Sequence, residues 1–115
     1  MQTSDVELYI SQFPKEIQQR LFAIRAIGFN VFGDADERIY HRVPTFALNG
    51  VDILNYGAYK NHITLWIGYE MVSLLKNAYP QFNYTKVTIK ISNDDYFPGD
   101  VIREICELLI SGRGL

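Results

Sequence analysis

Apolar residues recur every three or four positions through the first third of the chain. Val6, Tyr9, Ile10 and Phe13 predict a short helix to about Gln12, capped by Thr3 or Ser4, with Asp5 and Glu7 near its positive end. Pro14 suits the first turn of a second helix, where its missing N–H costs nothing. Ile17, Leu21, Ile24 and Ile27 form that helix's apolar stripe. Gly28 weakens the helix without ending it, Phe29, Val31 and Phe32 prolong the buried face, and Gly33 is the expected stop.

From residue 38 to residue 43 the period changes to two. Ile39, His41 and Val43 then face one way, and Arg38, Tyr40 and Arg42 the other. Pro44 cannot donate to a ladder and is expected to end or bulge this strand. Phe46 and Leu48 lead into Asn49-Gly50, the strongest short hairpin signal in the chain. Strands over 51–59 and 62–67, joined at Lys60-Asn61, complete an antiparallel meander.

Gly68 breaks the pattern, and a helix over 69–79 stops at Pro80. Residues 85–91 alternate, with Val87, Ile89 and Ile91 inward and Lys86, Thr88 and Lys90 outward. That is a half-solvated strand, expected at an edge. A polar loop at Asn93, Asp94 and Asp95 precedes a last helix. It opens at Pro98, buries Val101, Ile102, Ile105, Leu108 and Leu109, and ends at Gly112. The order α-α-β-β-β-α-β-α predicts an α+β two-layer fold with an antiparallel sheet, as one domain over 1–115.

Bulk composition narrows the function classes. The chain is 48% hydrophobic and 21% charged, a globular balance, and its net charge is -2. That sign disfavours nucleic acid as a partner, because phosphate binding needs an excess of cations. No apolar segment is long enough to span a membrane, and the first residues lack the pattern of a signal peptide. Cys106 is the single cysteine, so neither an internal disulfide nor a cysteine zinc site is expected. These features suggest a cytoplasmic protein. No motif of a nucleophile elbow, P-loop, dinucleotide fold or zinc protease occurs, and the chain reads as non-enzymatic.

Three constellations remain. Lys60 and His62 flank a tight turn beside Tyr59, and two basic groups next to aromatic rings suit an anion or carboxylate. Tyr40, Tyr56, Tyr59 and Trp66 fall where they can line a cleft on one sheet face, or serve as cross-strand packing. Asp34, Asp36 and Glu37, and separately Asp94, Asp95 and Asp100, gather oxygen ligands of the kind hard cations take. Turn and cap chemistry accounts for the same carboxylates. His41 and His62 are too few alone for a metal site, and Cys106 reads as a buried, inert thiol.

Tyr9-Ile10, Phe13-Pro14, Glu16-Ile17 and Leu21 resemble the opening helices of the YdhG-like family of small bacterial domains. Glu37, Ile39, Pro44-Thr45-Phe46 and Asn49-Gly50 resemble its first hairpin, and Ala58 to Ile63 its most recognisable block. Thr88-Ile89, Pro98 and Ile102 resemble its closing strand and helix. His41-Arg42-Val43 and Ile91-Ser92 depart from the family's usual Tyr-Gly-Met and Phe-Pro. The resemblance implies a frataxin-like intracellular iron chaperone. Iron would then be held by Asp34, Asp36, Glu37, Asp94 and Asp95 and passed to an iron-accepting protein, with no required cofactor. The alternative is a module for a small anionic ligand, using the sheet face around Tyr40, Tyr59, Lys60, His62 and Trp66. A third reading uses the strand over 85–91 as an open edge for protein pairing, and the oligomeric state stays open.

Overall fold

A computed structural model describes residues 4–112. Helices α1 (Asp5–Ser11) and α2 (Lys15–Phe32) lead into strands β1 (Asp36–Tyr40), β2 (Val43–Leu48), β3 (Val51–Ala58) and β4 (His62–Trp66). Helix α3 (Tyr69–Ala78), strands β5 (Asn83–Tyr84) and β6 (Thr88–Ser92) and helix α4 (Gly99–Ser111) follow. The strands form one antiparallel sheet in the order β1-β2-β3-β4-β6-β5. Residues from all four helices share one core cluster with Phe46, Leu54, Tyr56, Ile63, Leu65, Ile89 and Ile91, so the helices cover a single sheet face. The fold is therefore the expected two-layer α+β domain. Among the described residues no helix is long and apolar enough to cross a membrane.

Local chemistry explains the boundaries. Ser4 caps α1: the Glu7 N–H donates to Ser4 Oγ at 3.1 Å, and the Ser4 N–H donates back to Glu7 Oε1. Thr3, the other expected cap, lies outside the described residues. Gly28 is buried in mid-α2 because a Cβ there would sit 2.3 Å from the Phe46 ring. The helix gives up some propensity at that point to let Phe46 dock between Phe29 and Phe32. Where β2 has ended, the Ala58 N–H donates to the Tyr9 hydroxyl at 3.1 Å, tying α1 to the sheet.

The structure redraws two strands. Residues 38–43 are not one strand, because the chain reverses at His41-Arg42 and Pro44 sits second in β2, opposite Ile39. Both turn residues are left-handed, at φ 52° and 68°. This is the hairpin geometry for which Asn-Gly is the usual signal, and His-Arg carries no such signal. Tyr40 and Val43 consequently pair on one face, where a continuous strand would put them on opposite faces. Strand β6 is not an open edge either: it lies between β4 and β5. The two-residue β5 is too short to show any alternation. Val87 is exposed, and its carbonyl accepts the Ile67 and Gly68 N–H groups.

Candidate functional site

Strand alternation places a second set of side chains on the face away from the helices. From β2 to β6 these are Val43, Thr45, Asn55, His62, Thr64, Trp66, Thr88 and Lys90. The register sets Thr45 against Asn55, Asn55 against Trp66, Trp66 against Thr88, and Thr64 against Lys90. Small polar residues dominate, and the largest ring is that of Trp66, the single tryptophan of the chain.

Two clefts open on this face, one on each side of Trp66. The larger, about 430 Å³, is walled by Tyr59, His62 and Trp66 and floored by Thr64, Thr88 and Lys90. Tyr59 stacks on His62 with centroids 5.4 Å apart, and it meets Trp66 edge-on at 6.4 Å. Thr85 and Thr88 share a hydroxyl hydrogen bond at the rim. The smaller cleft, about 180 Å³, is formed by His41, Val43, Asn55 and Trp66. Asn55 Nδ2 donates to Thr45 Oγ1 at 2.8 Å, and Thr45 Oγ1 donates to the Val43 carbonyl.

The charge of these clefts is one-sided. No described Asp or Glu lines either one, although the chain is acidic overall. Lys90 forms no ion pair among the described residues. A cation and an imidazole between aromatic walls, with hydroxyl groups below, can hold a small anion carrying apolar surface. A larger hollow, about 710 Å³, lies between α2 and α4. Charges of both signs from Arg103, Glu104 and Glu107 line it, and it has no aromatic wall.

The structure brings Tyr59, His62 and Trp66 together and places Tyr40 and Lys60 elsewhere. Tyr40 supports the second cleft indirectly: its ring holds His41 at 4.1 Å and carries the Arg38 guanidinium at 5.1 Å. Lys60 is exposed at the β3–β4 turn and lines neither cleft; its carbonyl accepts from Asn93 Nδ2. Tyr56 is on the opposite face, buried in the core and stacked on Phe46. Burial raises its hydroxyl pKa, with Glu37 adding to the effect, and the oxygen has no hydrogen-bond partner among the described residues. Lys90, Thr64, Thr88 and Asn55 are cleft residues that local sequence reasoning does not select. Their signal is cross-strand register, which no single segment carries.

The carboxylates do not converge. Among the described residues no three His, Cys, Asp or Glu side chains gather as a metal site. Asp34 and Asp36 are exposed, while Glu37 accepts Arg25 Nε at 2.9 and 2.8 Å through its two oxygens. That contact raises the Arg25 pKa further. Asp94 and Asp95 belong to a turn organised by Ser92. The Asp94 N–H donates to Ser92 Oγ, and Arg20 holds the Asp95 carbonyl. His41 and His62 line different clefts. Cys106 is buried, which pushes its thiol up to about 12 and leaves it inert at neutral pH.

No family model matches the sequence, and no curated protein is similar to it. Among solved structures, the fold is similar to the crystal structure of YdhG, a DUF1801 family protein from Bacillus subtilis. The TM-score is 0.85 at 16% identity, covering 96% of this chain and 92% of that one.

Proposed function

We propose that this protein is a non-enzymatic binding module whose open sheet face takes a small anion with an apolar or aromatic body. One observation carries the reading: Lys90 and His62 stand among Tyr59 and Trp66 in a cleft that no carboxylate of the described residues lines. An anion there meets donors, and its body meets rings. Iron as cargo, with an iron-accepting protein as partner, has the acidic balance of the chain in its favour. It lacks a gathered ligand set among the described residues, so the anion reading leads. A cytoplasmic setting fits both.

Thermal shift tests the choice, because a ligand specific to the folded state raises the melting temperature. Inorganic phosphate and benzoate are expected to raise it, and ferrous and ferric iron to leave it unchanged. Lys90→Ala should abolish the anion response, whereas Lys60→Ala should keep it. An anion response that survives Lys90→Ala, or a selective iron response, overturns the reading.

A further inference from the structure

The smaller cleft is built around an anomaly. His41 and Arg42 occupy a two-residue hairpin turn with consecutive positive φ values, where Asn-Gly is the usual pair; histidine tolerates that backbone better than most side chains, and arginine does not. The β2–β3 turn meets the same demand with Asn49-Gly50. The departure from the usual turn pair, rather than strain at His41 itself, points to a task for the side chain placed there. His41 is held against Tyr40 and forms one wall of the 180 Å³ cleft.

The polar groups of this cleft match the edge of a heterocycle. Asn55 is pinned by its bond to Thr45, which leaves Oδ1 without a protein partner among the described residues. The Trp66 indole N–H and the His41 ring also make no hydrogen bond to a described residue. Together they offer an acceptor, donors and flat apolar surface within a small volume. A cavity of about 150 Å³ accommodates a benzene-sized ring, so this one suits a single ring better than a fused pair.

Position ties the two clefts together. Asn55 and Lys90 are two strands apart, through Trp66 on β4, and two residues apart along the strand direction. Strand spacing and rise then separate them by about 12 Å. That span is suited to a ring joined through a sugar-sized spacer to an anionic group.

We infer that the two clefts are halves of one composite site divided by Trp66, whose occupant is a single-ring heteroaromatic compound bearing a phosphate or carboxylate, of pyrimidine nucleoside monophosphate size. This rests on the anion-binding reading of the larger cleft. The ring enters between His41, Asn55 and Trp66, and the anion reaches Lys90 and His62.

The single tryptophan reports on both halves. Trp66 fluorescence and calorimetry with uridine 5′-monophosphate, uridine, inorganic phosphate and adenosine 5′-monophosphate are the test. Uridine monophosphate should bind at least about tenfold more tightly than phosphate or uridine, following the affinity gain of linked contacts, and more tightly than its adenosine counterpart. His41→Gly suits the backbone conformation and so keeps or raises the melting temperature. It should bring uridine monophosphate binding down to the level of phosphate without weakening phosphate. If uridine monophosphate binds no better than phosphate, or His41→Gly does not weaken it, the composite site is wrong. The anion reading then stands, provided phosphate binding still requires Lys90. Equal binding of the adenosine nucleotide overturns the single-ring assignment, and silence of phosphate and nucleotide alike overturns both readings.

Discussion

The two faces of the sheet are built from the same strands and have opposite characters. Toward the helices stand Phe46, Leu54, Tyr56, Leu65, Ile89 and Ile91, each almost fully buried. Away from them stand Thr45, Asn55, Thr64, Trp66, Thr88 and Lys90, paired through the same registers. One residue step along a strand separates a core position from a cleft position. Core stability is thus expected to rest mainly on the first set, although Thr45, Thr64 and Thr88 of the second are buried as well.

The sharpest way to test that separation is truncation on each face. Phe46→Ala removes a ring packed against Phe29, Phe32 and Tyr56, and should cost about 3–5 kcal/mol in urea unfolding. Trp66→Ala, on the partly open face, should cost less than about 2 kcal/mol while eliminating ligand response. Equal costs would show that the open face carries core stability.

Alkaline pH should read the helix-covered face next. Burial raises the Cys106 thiol from 9.0 to about 12 in the folded chain. The unfolded chain then releases that proton first, so stability is intact below about pH 9 and declines as pH rises toward 12. At about 1.36 kcal/mol per pH unit, unfolding free energies at pH 8 and pH 10.5 should differ by roughly 2 kcal/mol from this group alone. Cys106→Ala should flatten that decline and Trp66→Ala should not.

The smallest effect concerns Tyr56, whose hydroxyl is buried without a partner among the described residues. Tyr56→Phe removes an unsatisfied polar group and should stabilise the fold by about 1 kcal/mol in denaturant titration. A loss of similar size would mean that the hydroxyl makes a favourable interaction with the Arg25–Glu37 pair.

The elements visible in the sequence are those whose signal is local. Asn49-Gly50 announces its turn, and the periodic stripes of α2 and α4 announce their buried faces. His41-Arg42 announces nothing, because its left-handed backbone is imposed by the strands on either side. Tyr56 and Trp66 look alike as strand aromatics. Only the assembled register puts the first against Phe46 and the second against Asn55 and Thr88. Lys90 becomes a cleft residue only when β6 lies beside β4. The carboxylates were legible as a composition and misleading as a constellation: Arg25 claims Glu37, and Ser92 organises the turn of Asp94 and Asp95.

The connectivity of the sheet has a consequence for the order in which its parts come apart. Turns of two or three residues join β1 to β2, β2 to β3, β3 to β4 and β5 to β6, whereas β4 meets β6 only after the chain has run through α3 and β5. Closing so long a loop carries more entropy than closing a tight turn. The β4–β6 seam is thus the joint that the chain itself holds least, and the larger cleft lies directly across it. A molecule resting on His62 and Trp66 from one strand and Lys90 from the other acts as a rivet between two separately tethered halves of the sheet.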